Sequence, residues 1–151
     1  MKKLFLFILL FSITYAKPVR VYVDVVGDLF HAGHVQFFKK AREEGDYLIV
    51  GIHRDDEVTE YKRQPYLTME ERRIVIEACR YVDEVIIDVP IGISEEWIEK
   101  YEIDLVIHGD DFSEENKLAH YGVPIRLGIF KTVPYTKGTS TTEIIERIKS
   151  R

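Results

Sequence analysis

The sequence predicts an α/β fold: a five-stranded parallel sheet with helices on both faces. Three observations carry it. Five short runs rich in Val and Ile recur along the chain. Between them lie stretches whose apolar residues repeat at helical spacing. The first run, Val19 to Val26, is near-continuously β-branched, as in a strand buried on both faces. Strands alternating with helices build a parallel sheet, and such sheets gather their ligands beyond the strands' carboxyl ends.

Val19–Val26 is the first strand. A helix follows over Ala32–Glu44, with Val35, Phe38 and Ala41 at helical spacing and Gly45 as its stop. Tyr47–Ile52 is the second strand and Asp55–Tyr61 a short helix. Thr68-Met69-Glu70-Glu71 has the form of a capping box and starts a helix that runs to about Arg80. Glu84–Ile87 reads as strand, Ser94–Tyr101 as helix and Ile103–Ile107 as strand. Ser113–Tyr121 is a weak helix, Ile125–Phe130 the last strand and Thr141–Lys149 a closing helix.

A chain of 151 residues has room for one domain with a proper core, and 46% hydrophobic against 31% charged residues describes a globular protein. Net charge is −5 and no Lys/Arg block lies beyond Lys2-Lys3, so no nucleic-acid partner is expected. A single cysteine, Cys79, excludes an internal disulfide and a Cys-rich zinc site; it reads as a small buried hydrophobe. Residues 1–16 have secretory-signal form: basic Lys2-Lys3, apolar Leu4 to Ile13, and small Ala16. The apolar run is short for a bilayer span, and retention as an N-terminal anchor is the alternative. Membrane contact is expected only through this segment, which suggests a secretory or membrane location and leaves a cytoplasmic one as the alternative, with residues 17–151 forming the domain.

Four constellations follow strands. In the first, Asp24 and Asp28 precede His31-Ala32-Gly33-His34. Two imidazoles three residues apart on a helix's first turn share a face. Gly33 is expected to let a ligand approach the backbone, and the free N–H groups of the turn to favour an anion. A zinc pair would need further ligands, and none is near in sequence. The second is Asp55, then Lys62-Arg63 in a loop closed by Pro65; a loop lysine can reach over bound phosphates, or simply be a solvated surface residue. The third, His108-Gly109-Asp110-Asp111, suits a nucleotide or magnesium contact, or a turn with an N-cap. The fourth is Tyr135-Thr136-Lys137-Gly138-Thr139-Ser140-Thr141-Thr142, where glycine and hydroxyls at a helix start offer donors to a phosphate, or an elaborate N-cap.

With these residues in place, the chain resembles the cytidylyltransferase family, whose members make CDP-ethanolamine, CDP-choline and CDP-glycerol. The resemblance runs from Val21 to Ile148. It is carried by Asp28 to His34, Gly45-Asp46-Tyr47-Leu48-Ile49-Val50-Gly51, Arg80-Tyr81-Val82-Asp83-Glu84-Val85 and Gly138-Thr139-Ser140-Thr141-Thr142. It implies a Rossmann-like nucleotidyltransferase fold and transfer of a cytidylyl group from CTP to a small phosphorylated alcohol. His31 and His34 resemble the signature histidines that bind the CTP phosphates, and Lys62 the loop lysine that clamps substrate and nucleotide. Val26, Gly27, Gly33, Gly109, Asp110 and Gly138 to Thr142 would bind the nucleotide. Asp24 and Asp55 would bind the acceptor, Asp24 matching an acid of the choline and ethanolamine branches. Mg²⁺ would arrive with CTP without direct protein ligands, and the assembly would be a homodimer.

Three positions depart from the family pattern. Val25-Val26-Gly27 stands where a glycine and an aromatic are usual before Asp28. Tyr135 stands where the C-terminal signature begins with arginine, which makes Lys137 the candidate for the missing charge, although it is not a bidentate fork. Ile91 follows Pro90 where the choline and ethanolamine enzymes place an aromatic, and losing that face ranks phosphoethanolamine above phosphocholine. An adenylyltransferase using ATP and a non-catalytic nucleotide-binding protein are the alternatives.

Overall fold

The structure, a computed structural model, describes residues 16–151. Its elements are β1 (Arg20–Val25), α1 (Ala32–Arg42), β2 (Tyr47–His53), α2 (Asp55–Tyr61), α3 (Met69–Glu77) and β3 (Glu84–Val89), followed by α4 (Glu95–Lys100), β4 (Leu105–Gly109), α5 (Glu114–Arg126), β5 (Phe130–Val133) and α6 (Thr141–Lys149). The strands form one sheet in the order β3-β2-β1-β4-β5, and every neighbouring pair is parallel. The order reverses between β1 and β4, which opens a crevice beyond their carboxyl ends.

The two-residue period of β1 sorts its side chains between the two faces. Val21 and Val23 join Phe38 of α1, Val50 of β2 and Ile76 of α3 in one core cluster. Tyr22 points the other way and joins Ile49, Val106 and Tyr121 of α5. Asp24 shares the parity of Tyr22, so the same alternation delivers it to the α5 side.

The sequence expectation fails most clearly at the last strand. Ile125 and Arg126 complete α5, Leu127 caps it, and Gly128 turns the chain at φ +70, so β5 starts only at Phe130. Val123, Ile125, Leu127 and Ile129 alternate like a half-buried strand, yet Val123 and Ile125 lie in the part of α5 beyond a kink at Tyr121. Pro124 suits that position, because the start of a helical segment needs no N–H. β4 begins two residues later than expected and takes in His108 and Gly109, paired with Thr132 and Val133 of β5. α3 stops at Glu77 rather than near Arg80, and β3 extends to Val89. Cys79 packs half-buried against the first cluster.

Among the described residues no helix is long and apolar enough to cross a membrane. The signal or anchor reading of residues 1–16 falls, apart from Ala16, outside the described residues.

Candidate active site

A cavity of about 620 Å³ opens beyond β1 and β4. The end of β1 contributes Asp24, Val26 and Gly27; the start of α1 contributes His31, Gly33 and His34. Lys62 enters from the loop after α2, Gly109 from the end of β4, and Thr139, Ser140, Thr141 and Thr142 from the start of α6. Three expected residues do not line it. Asp55 is ion-paired with the fully buried guanidinium of Arg72 and lies off the lining. Asp110 accepts the Tyr135 N–H at 2.8 Å, and the carboxylate that lines the cavity is its neighbour Asp111. Gly138, at φ +83, turns the chain into the Thr139–Thr142 segment from outside. Lys137 is exposed and also off the lining.

The two histidines close the N-terminus of α1 reciprocally. His31 is the N-cap, and its Nδ1 accepts the Gly33 N–H at 3.1 Å; the His31 N–H donates to Nδ1 of His34 at 3.3 Å. This is a capping box built from imidazoles in place of Ser and Glu. Its consequence is chemical. With Nδ1 accepting on both rings, the proton of each neutral imidazole is assigned to Nε2. Two of the turn's N–H groups, those of His31 and Gly33, are therefore spent on histidine side chains and do not await an anion. The reason for Gly33 also changes: a Cβ there would lie 2.7 Å from the Thr139 carbonyl oxygen and 2.8 Å from the His31 ring. Glycine is needed for the protein's own close packing.

Both rings are held neutral. His34 lies between Phe30, stacked at 5.5 Å, and His31 at 4.0 Å between ring centroids. Burial, then the nearness of His31 and Lys62, pushes its pKa down to about 3. Burial lowers His31 as well, against the opposing charge of Glu143.

Asp28, 3% exposed, joins the remaining pieces. Its Oδ1 accepts the N–H groups of Tyr66 and Leu67, each at 3.0 Å, and Arg63 pairs with its Oδ2 at 2.9 Å. Burial alone would raise this carboxyl; the two amides and Arg63 outweigh it and hold the pKa below the ordinary carboxylate value. The Asp28 carbonyl accepts the Thr141 hydroxyl at 2.8 Å, which docks the start of α6 onto the start of α1. In that hydroxyl run, Ser140 is the N-cap of α6 and Thr139 bonds the Gly138 carbonyl, so Thr142 and Thr136, the latter with its oxygen buried, are the hydroxyls lining the cavity without a protein partner among the described residues.

At the opposite end Asp24, 4% exposed, accepts the Tyr121 hydroxyl at 2.6 Å, and Nε2 of His53 lies 3.9 Å from its other oxygen. Burial and the Asp24 charge keep the Tyr121 phenol protonated far above its ordinary range. Tyr61 and His120 complete this wall. Ile91 does line the cavity, but Tyr61, Phe112 and Tyr121 line it too. Ile91 thus removes one face, as the sequence suggested, while three other rings remain along the cavity.

Asp28 and Arg63 stood inside the sequence's constellations without a role of their own, and Arg72 and Tyr121 were not singled out at all. Arg72 donates to the Val26 carbonyl at 2.7 Å and the His53 carbonyl at 3.3 Å, tying the ends of β1 and β2 together. Arg72 stands in the charged run Glu70-Glu71-Arg72-Arg73, where nothing in the sequence marks it as the one that is buried. Among the described residues no group of three or more His, Cys, Asp or Glu side chains converges as a metal site.

Comparison with known proteins gives a consistent picture. The family model described as cytidylyltransferase-like matches residues 27–147. The ethanolamine-phosphate cytidylyltransferase of Arabidopsis thaliana is 44% identical over 135 residues, covering 85% of this chain and 32% of that protein. That of Dictyostelium discoideum is 43% identical over 133 residues, covering 85% and 37% respectively. The chain thus spans about a third of the length of these relatives. The crystal structure of the lipopolysaccharide core biosynthesis protein from Thermoplasma volcanium superposes with a TM-score of 0.64 at 25% identity, covering 82% of this chain and 100% of that one.

Proposed function

The chain belongs to the cytidylyltransferase-like family, and from that premise we propose that it transfers a cytidylyl group from CTP to phosphoethanolamine and releases pyrophosphate. The observation that carries the reading is one cavity with two differently built ends. Two Nε2–H imidazoles, Lys62 and the Thr139–Thr142 segment stand at one end, and the buried Asp24 carboxylate at the other.

In this reaction an oxygen of the acceptor's phosphate attacks the α-phosphorus of CTP in line, and the bond from that phosphorus to the β-phosphate oxygen breaks. No protein nucleophile is needed, because orientation and charge stabilisation carry phosphoryl-type transfers. His31 and His34 donate from Nε2 to oxygens whose negative charge grows in the transition state. As neutral donors they need release no proton to do so. Lys62 supplies a full positive charge from the loop above them. Val26, Gly27, Gly33, Gly109 and the Thr139–Thr142 segment shape the nucleotide's bed.

Mg²⁺ bound to the triphosphate would neutralise its β and γ oxygens. The residues fit a metal held in that way, since Asp24 stands at the acceptor end and Asp28 is taken up by Arg63 and two loop amides. Asp111 is the lining carboxylate open to it through water. At the acceptor end a primary ammonium can donate up to three hydrogen bonds toward Asp24 and the Tyr61 hydroxyl, whereas a trimethylammonium donates none. The two ethanolamine-phosphate relatives support the same acceptor. Family resemblance also supports a homodimer as the assembly.

The test is pyrophosphate release from CTP or ATP across phosphoethanolamine, phosphocholine and glycerol 3-phosphate. Turnover with CTP and phosphoethanolamine well above every other pair is the expected result. Preference for ATP, or for glycerol 3-phosphate, overturns the assignment. Nucleotide binding without turnover on any acceptor marks a non-catalytic binding protein.

A further inference from the structure

Lys62, the cation assigned to the reacting phosphates, has no side-chain partner of its own among the described residues. It is exposed and caps the end of α2, where the backbone leaves helical geometry at φ −135, ψ −120. Something else must hold it over the cavity. The next residue is fixed on three sides: the Arg63 guanidinium lies 2.9 Å from Oδ2 of Asp28, sits 4.2 Å over the Tyr66 ring, and donates to the Gln64 carbonyl at 3.0 Å. The far end of the same loop is fixed to the same carboxylate, through the Tyr66 and Leu67 N–H groups on Oδ1. One buried side chain therefore grips the loop at both ends, and its backbone carbonyl also holds Thr141 at the start of α6.

We propose that Arg63 is a positioning residue for the transfer: by clasping Asp28 it closes the Lys62–Leu67 loop and presents Lys62 to the reacting phosphates. The proposal rests on the transfer reading above. Arg63 also lines the cavity, which raises direct phosphate binding as the competing role. Geometry favours the clasp. Arg63 is the only cation within 4 Å of the Asp28 carboxylate among the described residues. Drawing it onto a substrate phosphate would leave a 3% exposed carboxylate without its counter-charge, an arrangement that proteins avoid. Arg63 thus acts on the chemistry through Lys62.

The experiment is a double-mutant cycle of Arg63→Ala and Lys62→Ala on the full chain, with Arg63→Lys as the conservative variant and hydrogen exchange of the 61–67 segment measured without substrates. Arg63→Ala should lower kcat about ten- to a hundredfold, the scale of a small misplacement of a catalytic group, with little change in KM for CTP. In the Lys62→Ala background it should cost nothing further, because there is no longer a cation to position. Arg63→Lys should recover most of the loss, since an ammonium still reaches Asp28. Exchange across 61–67 should rise several-fold in Arg63→Ala and little in Arg63→Lys. Additive losses in the cycle overturn the proposal in favour of direct phosphate binding. Unchanged exchange in Arg63→Ala overturns it whether or not the protein turns over CTP. A wild type inactive on every nucleotide and acceptor sinks the transfer reading instead, and the exchange result still decides whether Arg63 holds the loop.

Discussion

Asp24 lies in β1 and Asp28 just past its end, yet the two ends of the cavity that they anchor are built in opposite ways. Around Asp28, apart from its pair with Arg63, side chains bond to backbone. His31 and His34 take N–H groups of their own turn, Asp28 takes two loop amides, and Thr141 reaches the Asp28 carbonyl. Around Asp24, side chains meet side chains from separate elements: Tyr121 from α5, His53 from the end of β2, Tyr61 from α2. The difference teaches what each end can vary. A donor fixed by backbone stays put when its neighbours change, which suits a step shared by every acceptor. A wall assembled from side chains changes with one substitution, which suits the choice among acceptors.

The comparison is tested most severely at His34. In His34→Asn the amide oxygen can accept the His31 N–H where Nδ1 does now, so the cap survives while the Nε2–H donor is gone. Turnover should fall about a hundred- to a thousandfold, the usual cost of removing one donor from developing charge, with thermal stability close to wild type. Near-normal kcat would end the role assigned to the imidazoles. A collapse in melting temperature with turnover retained would leave them as caps alone. Lys62→Ala should cost less, about ten- to a hundredfold in kcat, because an exposed loop cation has a partly solvated partner. Unfolding at a markedly lower temperature would show that this lysine is structural.

Much of the backbone-anchored end was legible in the sequence, because its signals are local. His31-Ala32-Gly33-His34 and Gly138 to Thr142 are contiguous stretches next to readable strand and helix ends, and the fold brings both to one cavity. The meaning of the local signal was less legible. The histidine spacing read as open N–H groups awaiting an anion, whereas the histidines take two of those groups, the His31 and Gly33 N–H, themselves. Long-range partners were not legible at all. Nothing local ties Arg63 to a carboxylate 35 residues earlier in the chain, Tyr121 to Asp24 across 97 positions, or Arg72 to the Val26 carbonyl across 46. Asp55 and Asp110 fell away for the same reason. Each sits at an element's edge where an acceptor or nucleotide contact was plausible, and each instead meets a distant protein donor. At the last strand the error was one of period. Alternating apolar residues from Val123 to Ile129 mimic a strand, and only the kink at Tyr121 and the turn at Gly128 show otherwise.

Asp24→Asn sharpens the other side of the comparison. The asparagine oxygen still accepts the Tyr121 hydroxyl, so packing is kept while the charge is lost. With phosphoethanolamine, kcat/KM should drop about tenfold or more, as for a hydrogen bond to a charged group. With glycerol 3-phosphate, which brings no cation, it should hardly change. An unaltered ranking of acceptors would mean that Asp24 does not face the head group, even if the reaction itself stands.

The smallest effects are on stability, and the two ends should fail at opposite extremes of pH. In the unfolded chain His34 takes a proton near its ordinary 6.5, but in the folded chain only near about 3. Between those values the unfolded state binds more protons, so stability falls as pH is lowered through that window. Asp28 adds to the loss at still lower pH: its carboxyl is held below the ordinary 3.8, and the stability it contributes disappears as pH falls through the folded value. Tyr121 acts in the other direction. Its phenol is held well above the ordinary 10.0, so its contribution is complete below that pH and is lost progressively as pH rises beyond it. Tyr22, buried on the same face and also raised, adds to the alkaline loss. Thermal melts of wild type, His34→Asn and Tyr121→Phe from pH 4 to 11 separate the ends. His34→Asn should flatten the acid limb and leave the alkaline limb alone, and Tyr121→Phe should do the reverse. Limbs that respond to the wrong variant, or to neither, would show that the ionisation of the two ends is not divided as the structure divides their contacts.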